Sequence, residues 1–329
     1  MTPLELTRRT LTAQAPTRID FGGGWTDVPP FPAEEGGYVC NVAISRRATV
    51  HLRAGQTVDG SQTGDDSARS VTDSALAWAA LNRAGLPDVS LTITNDFPFG
   101  AGLGGSSAAG VATVGALAQW RGLPLDRAVL AEESRRVEVE DLGVAGGRQD
   151  HYAAAFGGVL GLRFGETVEV DPIPLGALAA EIERRCVVAY SGQSRISGRT
   201  ITGVINAYIA REPQVTAALR RMKALAEFMA DALRRGALDE VGAMVAEHWA
   251  HQRSLHPQIT TPRIDAIVER AMAAGALGVK ALGASGGGCV LAVAPADRAE
   301  QVRAAVAELG ELLPFTVDRA GFSIISEEA

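Results

Sequence analysis

Residues 98–109 read PFGAGLGGSSAA. Glycines at 100, 102, 104 and 105 let the backbone turn tightly and approach a ligand closely. Ahead of them, Val89, Leu91 and Ile93 alternate with Ser90, Thr92 and Thr94, the period of a half-buried strand. Behind them, small residues predict a helix over about Ser106 to Trp120. A strand, a glycine loop and a helix in that order put unpaired N–H groups and a partial positive charge at one helix start, a setting suited to phosphate. Ser106 and Ser107 can cap that helix or reach a metal held by the phosphates. The stretch also fits GxGxxG through Gly100, Gly102 and Gly105. A dinucleotide fold would then want a strand-end acid about 20 residues on. Asp126 stands at that distance but at a helix start, so a nicotinamide-dependent oxidoreductase is the poorer alternative.

Two further clusters carry chemistry. EVEDLGVAGGRQD (138–150) joins Glu138 and Glu140, near a predicted helix end, to Asp150 after a Gly-Gly turn. Phosphoryl transfer to an alcohol needs a carboxylate near the attacking hydroxyl and an acid to hold Mg²⁺ against the phosphates, and these residues can supply both. GASGGG (283–288) sits between Lys280 and the strand-like CVLAVA, a pattern of close backbone contact with a neighbour or ligand. His248 and His251 lie three apart on a predicted helix but miss the HExxH order. They read as surface or interface residues rather than metal ligands.

The rest of the chain gives the frame. Helices are expected over about 72–82, 124–141, 238–255 and 297–309, and strands over 48–53, 156–164 and 186–190. Leu219, Met222, Ala226, Met229 and Leu233 form one apolar helix face. The polar stretch 56–69 reads as a mobile loop. Interleaved helices and strands argue for a two-layer α/β or α+β protein with two lobes, divided near 170–185.

Composition narrows the function classes. The 329 residues are 47% hydrophobic and 21% charged, which fits a globular protein and not a disordered one. The net charge of −7 disfavours a nucleic-acid partner. No apolar run of about 18 residues exists to span a membrane, and the N-terminus lacks a signal-peptide core, so a cytoplasmic location is expected. Cys40, Cys186 and Cys289 form no CxxC pair and read as buried reduced thiols. Of the two lysines, Lys223 and Lys280, neither completes GxxxxGK[ST], so ATP use must come by another route than a P-loop.

Taken together, the clusters resemble the GHMP kinase family. APTRIDFGGGWTD (15–27) is similar to the sugar-kinase form of its first motif, PFGAGLGGSSAA (98–109) to its ATP motif, and LGASGGGCVLAV (282–293) to its late motif. GRQDHYAAAFGG (147–158) resembles its catalytic-aspartate segment. The resemblance implies an α+β two-lobe GHMP kinase fold. It would have an N-terminal ribosomal-S5-like α/β lobe over 1–175 and a C-terminal ferredoxin-like α/β lobe over 176–329, with the site in the cleft. It implies Asp150 as catalytic aspartate, and Arg18 beside it and the transferred phosphoryl. Pro98, Gly100, Gly102, Leu103, Gly104, Gly105, Ser106 and Ser107 would hold ATP. Ser106 and Glu138 would hold Mg²⁺, with Ser107 and Glu140 as rivals. Gly24, Trp25, Thr26, Asp27, Arg195, Gly286 and Gly287 would meet the substrate, together with Arg18 and Asp150.

GGGWTDVPPF and YSGQSRISG (190–198) look most like the branch that phosphorylates the anomeric hydroxyl of a sugar or sugar phosphate. Fucokinase and D-glycero-D-manno-heptose 7-phosphate kinase are the nearest forms. Arg46, Arg47, Arg195 and Arg199 are candidate partners for a second phosphate. His151 stands where the sugar branch has Gln, and Ser285 stands in a run of Gly and Ala. A catalytically silent sugar and ATP sensor on the same fold is the rival reading. The expected partners are ATP and a small-molecule sugar or sugar phosphate, with a homodimer as one expected assembly.

Overall fold

The computed structural model describes residues 9–55, 67–194 and 198–328. The strands are β1 (Thr10–Gly22), β2 (Gly37–Ala54), β3 (Val89–Asn95), β4 (Val159–Phe164), β5 (Val168–Ile173), β6 (Cys186–Tyr190), β7 (Gly278–Ala281), β8 (Cys289–Val293), β9 (Glu311–Leu312) and β10 (Ser323–Glu328). The α-helices are α1 (Phe31–Glu35), α2 (Ser67–Ala84), α3 (Gly105–Trp120), α4 (Arg127–Arg136), α5 (Gln149–Phe156), α6 (Leu178–Arg185), α7 (Gly198–Ile209), α8 (Pro213–Arg234), α9 (Leu238–Ser254), α10 (Pro262–Ala273) and α11 (Ala299–Ala307). A π-helical turn, Val137–Asp141, follows α4.

The strands make two sheets. One has the order β10-β1-β2-β4-β5, with β3 also paired to β2, and the other has the order β7-β8-β6-β9. Every described strand pairing is antiparallel. A doubly wound dinucleotide fold needs parallel strands at the glycine loop. Here β3 runs antiparallel to β2, and Asp126 caps α4 by accepting from Val129 N at 2.9 Å. The GxGxxG reading therefore has neither its sheet nor its ribose acid.

β1 shows how sequence parity builds the site. Leu11, Ala13, Ala15, Ile19 and Phe21 face the core, and Arg18 and Asp20 alternate with the last two on the other side. The β1–β2 register shifts between Pro16 and Thr17 and again between Asp20 and Gly22. Such irregularities re-aim side chains locally, and these two bracket Arg18 and Asp20. One buried cluster joins β1 and β2 to Leu225, Ala226 and Met229 of α8, to Leu282, and to Leu291 in the second sheet. The two sheets thus share a core.

Several expected boundaries move. The helix expected over 72–82 begins at Ser67, and the one over 124–141 stops at Arg136, before the π-helical turn. The strand expected over 156–164 begins at Val159, because Gly157 and Gly158 both take a positive φ. The C-terminal segment does not stay with the second sheet: β10 returns to pair with β1. Residues 56–66 of the expected loop and Arg195 lie outside the described residues. Among the described residues, no helix is long and apolar enough to cross a membrane, and the three cysteines are buried free thiols.

Candidate active site

A cavity of about 540 Å³ opens between the glycine loop, the motif at 18–27, the turn at 143–151 and the start of α7. Its floor is an ion pair. Arg18 Nε donates to Asp150 Oδ1 at 2.7 Å, and Arg18 Nη1 donates to the Gly102 carbonyl at 2.7 Å. The Arg18 amide also donates to Leu103 O at 3.0 Å. One arginine therefore ties β1, the glycine loop and Asp150 together. A Cβ on Gly104 would sit 2.9 Å from Asp150 Cγ, so glycine is what lets the loop lie against that carboxylate. Gly102, Gly104, Ser106 and Ser107 line one cavity with Asp150, whereas Pro98, Gly100 and Gly105, expected at ATP, lie outside its lining.

The glycine loop is braced from the second sheet. Cys289 N donates to Ala101 O at 2.7 Å, and a Cβ on Gly102 would meet Leu282 O at 2.6 Å. Gly102, Gly104, Ser106 and Ser107 line the cavity, whereas Leu103 is buried in the core and contributes its backbone. Pro98 O closes the loop by accepting from Ala101 N at 3.3 Å, and Gly100 takes φ 67. A Cβ on Gly105 would strike the Phe97 ring at 2.3 Å. Gly104 is the N-cap of α3, without a side-chain cap. The first amides of α3 are thus left for an anion.

Ser106 and Ser107 do not cap α3. Both hydroxyls donate to Glu138, Ser107 Oγ to Oε2 at 2.9 Å. The π-helical turn presents Glu138 at the cavity; the Leu142 amide donates to Val137 O at 3.1 Å, a wider loop than an α-turn closes. His151 Nε2 lies 2.6 Å from Glu138 Oε2. Burial pushes the Glu138 carboxyl up, but the neighbouring His151 imidazole and the serine hydroxyls outweigh it and hold Glu138 below the usual range. Glu140, the rival acid, faces Arg83 at 3.1 Å instead. A carboxylate and a serine hydroxyl at a phosphate loop are hard oxygen donors that fit Mg²⁺, which keeps waters and phosphates as its other ligands. Among the described residues, no group of three or more His, Cys, Asp or Glu is gathered for a metal.

Asp27 braces the start of a helix. Its Oδ2 accepts from the amides of Arg148 at 2.9 Å and Gln149 at 3.0 Å, at the start of α5, the helix that carries Asp150. A Cβ on Gly147 would lie 1.9 Å from that oxygen. Burial pushes the Asp27 carboxyl up to about 6; the Gln149 amide opposes this, and Asp150 and Asp20 add to it.

Gly24 and Trp25 border the cavity, but Thr26 does not. Thr26 is fully buried, and its hydroxyl bonds the backbone of Gly23 at 2.7 Å and Tyr38 at 3.0 Å, so it shapes the turn rather than meeting a ligand. From the late motif, Gly283 and Ala284 form the wall, whereas Gly286 and Gly287 are buried behind it, with Gly286 N donating to Ile259 O at 2.8 Å. Arg46 and Arg47 turn away: Arg47 pairs with Asp318 at 2.6 Å, and Arg46 donates to Pro314 O at 3.0 Å. Arg199 is exposed outside the lining.

Three relationships had no sequence signal of their own. His248, expected at a surface or interface, is fully buried on α9, and its Nε2 accepts from Gly23 N at 2.8 Å. Burial and nearby Lys280 hold it well below the usual histidine range, so it acts as a neutral acceptor. Gln252 Nε2 donates to Ser285 Oγ at 3.0 Å under the late loop. Lys280 Nζ donates to Asp20 Oδ2 at 3.2 Å and Asp20 O at 3.1 Å.

A glycine loop at a helix start, a setting suited to phosphate, thus lies against an arginine-held carboxylate between two antiparallel sheets. Two family models match in chain order: "GHMP kinases N terminal domain" over residues 68–158 and "GHMP kinases C terminal" over 229–312. The bifunctional fucokinase/GDP-fucose pyrophosphorylase of Arabidopsis thaliana is 27% identical over 92% of this chain, which spans only 32% of that protein. The D-glycero-alpha-D-manno-heptose 7-phosphate kinase of Campylobacter jejuni is 27% identical over 95% of this chain and 98% of its own length. The mevalonate kinase of Pyrococcus horikoshii is 30% identical over 72% of this chain and 68% of its own. A crystal structure described as a D-glycero-D-manno-heptose 1-phosphate kinase from Bacteroides thetaiotaomicron superposes with a TM-score of 0.75 at 24% identity, covering 96% of this chain and 99% of that one. The chain belongs to the GHMP kinase family and has its fold.

Proposed function

We propose that the chain is an ATP- and Mg²⁺-dependent kinase that phosphorylates the anomeric C1 hydroxyl of a sugar or sugar phosphate, a heptose 7-phosphate or a fucose-like hexose. The observation that carries this reading is the contact among Arg18, Asp150 and the glycine loop. The loop amides from Gly102 to Ser107 hold the ATP phosphates. Ser106 and Glu138 would hold Mg²⁺, which when bound neutralises phosphate charge. Asp150 accepts the proton of the attacking hydroxyl as its oxygen bonds the γ-phosphorus and the bond to ADP breaks. Arg18 offsets charge on the transferred group and fixes the position of Asp150.

The names of the fucokinase and heptose 7-phosphate kinase relatives support a sugar as acceptor. The described lining holds Asp20, Asp27, Glu138 and Asp150 against one guanidinium, Arg18. The joined Arg18, Asp150 and Ser106–Glu138 set argues against a silent sensor. An ADP-release screen over free hexoses, fucose and heptose 7-phosphate tests the reading, with NMR of the product to locate the phosphate. ADP release with a sugar and phosphate at C1 are expected. Sugar binding without turnover would replace the reading with the sensor.

A further inference from the structure

Asp20 is a buried carboxylate that the phosphoryl-transfer chemistry does not use. It borders the cavity from β1, yet only 2% of its surface is exposed. Its Oδ2 faces Lys280, which is 0% exposed on β7, and its Oδ1 is buried without a protein partner. Removing two charges from water costs several kcal/mol per ion, and a well-packed apolar pair would do as well for stability. An orphaned buried oxygen adds to that cost, because nearly all such atoms are paired. Glycine at 24 lets the chain pass close to the Lys280-bound oxygen, since a Cβ there would lie 2.2 Å from Asp20 Oδ2. Asp20 and Arg18 stand two residues apart on one face of β1 and line the same cavity.

We infer that Asp20 is a specificity-determining residue whose free Oδ1 accepts a hydrogen bond from one non-reacting hydroxyl of the acceptor, with Lys280 holding the carboxylate in place. The inference rests on the sugar-kinase reading and goes beyond it, to which feature of the acceptor is recognised. A polyol supplies the donor that this oxygen lacks. A site built around such a contact rejects the analogue without the hydroxyl, because the buried acceptor is then stranded. Asp20→Asn inverts the chemistry. The amide oxygen turns to Lys280 and the NH₂ group faces the cavity, so an acceptor becomes a donor.

The test compares kcat/KM for an accepted sugar and its monodeoxy analogues in the wild type and in Asp20→Asn. The wild type should lose about 10- to 100-fold on one particular analogue, the range for a hydrogen bond to a charged group. Asp20→Asn should lose that discrimination for the same analogue alone, with the KM for ATP and the other analogues' ratios kept. A uniform fall for every analogue, or discrimination unchanged in the variant, would overturn the inference and leave the kinase reading standing. No phosphoryl transfer to any sugar by the wild type would instead overturn the kinase reading and this inference with it. If Asp20→Asn fails to fold with Lys280 stranded, the double variant Asp20→Asn/Lys280→Met removes the unpaired charge and is read against the same panel.

Discussion

Arg18 and Asp150 lie 132 residues apart in sequence, and their side chains meet at 2.7 Å. The same guanidinium holds the Gly102 carbonyl, so Asp150, the proposed base, and the glycine loop are positioned by one side chain. This coupling sets the first expectation.

Arg18→Lys keeps a charge but cannot make both contacts, because an ammonium lacks the planar fork. Turnover should fall by about 10²-fold, the scale of losing one preorganised transition-state donor. Steady-state kinetics check it. A lysine variant with wild-type kcat would show that charge alone suffices.

The Ser106–Glu138 contact predicts a metal phenotype. Ser106→Ala should raise the Mg²⁺ concentration for half-maximal activity by about 10-fold or more, in line with losses at metal-site hydrogen bonds. Titrating Mg²⁺ at saturating ATP measures this. Glu140→Gln, on the Arg83 side, should leave the requirement unchanged.

Asp27 predicts a pH-dependent stability. Its carboxyl is raised from 3.8 to about 6 in the folded protein, so the folded state holds that proton more tightly than the unfolded chain. Stability contributed by the protonated group is present below the unfolded value and is lost as pH rises through the folded one. The loss by neutral pH is roughly 3 kcal/mol at about 1.36 kcal/mol per pH unit. Asp27→Asn keeps an oxygen for the Arg148 and Gln149 amides without the charge. In urea unfolding between pH 4 and about 7, a range set by that shift, the variant should gain on the wild type as pH rises. A constant difference across the range would contradict this account.

Ser285 takes φ 63, a left-handed conformation that disfavours a side chain. The Gln252 contact at 3.0 Å offsets that strain. Ser285→Ala keeps the strain and loses the bond, whereas Ser285→Gly loses both. The glycine variant should therefore be more stable than the alanine variant by about 1 kcal/mol. Thermal unfolding of the two variants decides the order.

The sequence was most legible where chemistry needs a rare local pattern. The glycine loop at 100–105 and the Gly146–Gly147 turn stood out by spacing, because tight turns leave few residue choices, whereas only the family resemblance singled out Asp150 and preferred Glu138 to Glu140. The apolar face of α8 was legible for the same reason, since Leu219 to Leu233 keep one helical stripe, and all five are buried. Partners distant along the chain were not legible. Nothing local announces that Lys280 meets Asp20 across 260 residues or that His248 accepts from Gly23 across 225. Thr26 shares its motif with Asp27, yet the turn points its hydroxyl into backbone, and only coordinates separate the two. The return of β10 to β1 escaped for the same physical reason, because an edge strand such as Ser323–Glu328 does not say which sheet it completes.

The central claim is that Asp150 takes the acceptor proton at a phosphate cradle that binds ATP without it. Single-turnover kinetics and ATP binding of Asp150→Asn test it most directly. The account predicts near-normal ATP affinity with phosphoryl transfer slowed by about 10²-fold or more, the scale of general-base loss. Near-wild-type transfer by that variant would contradict it.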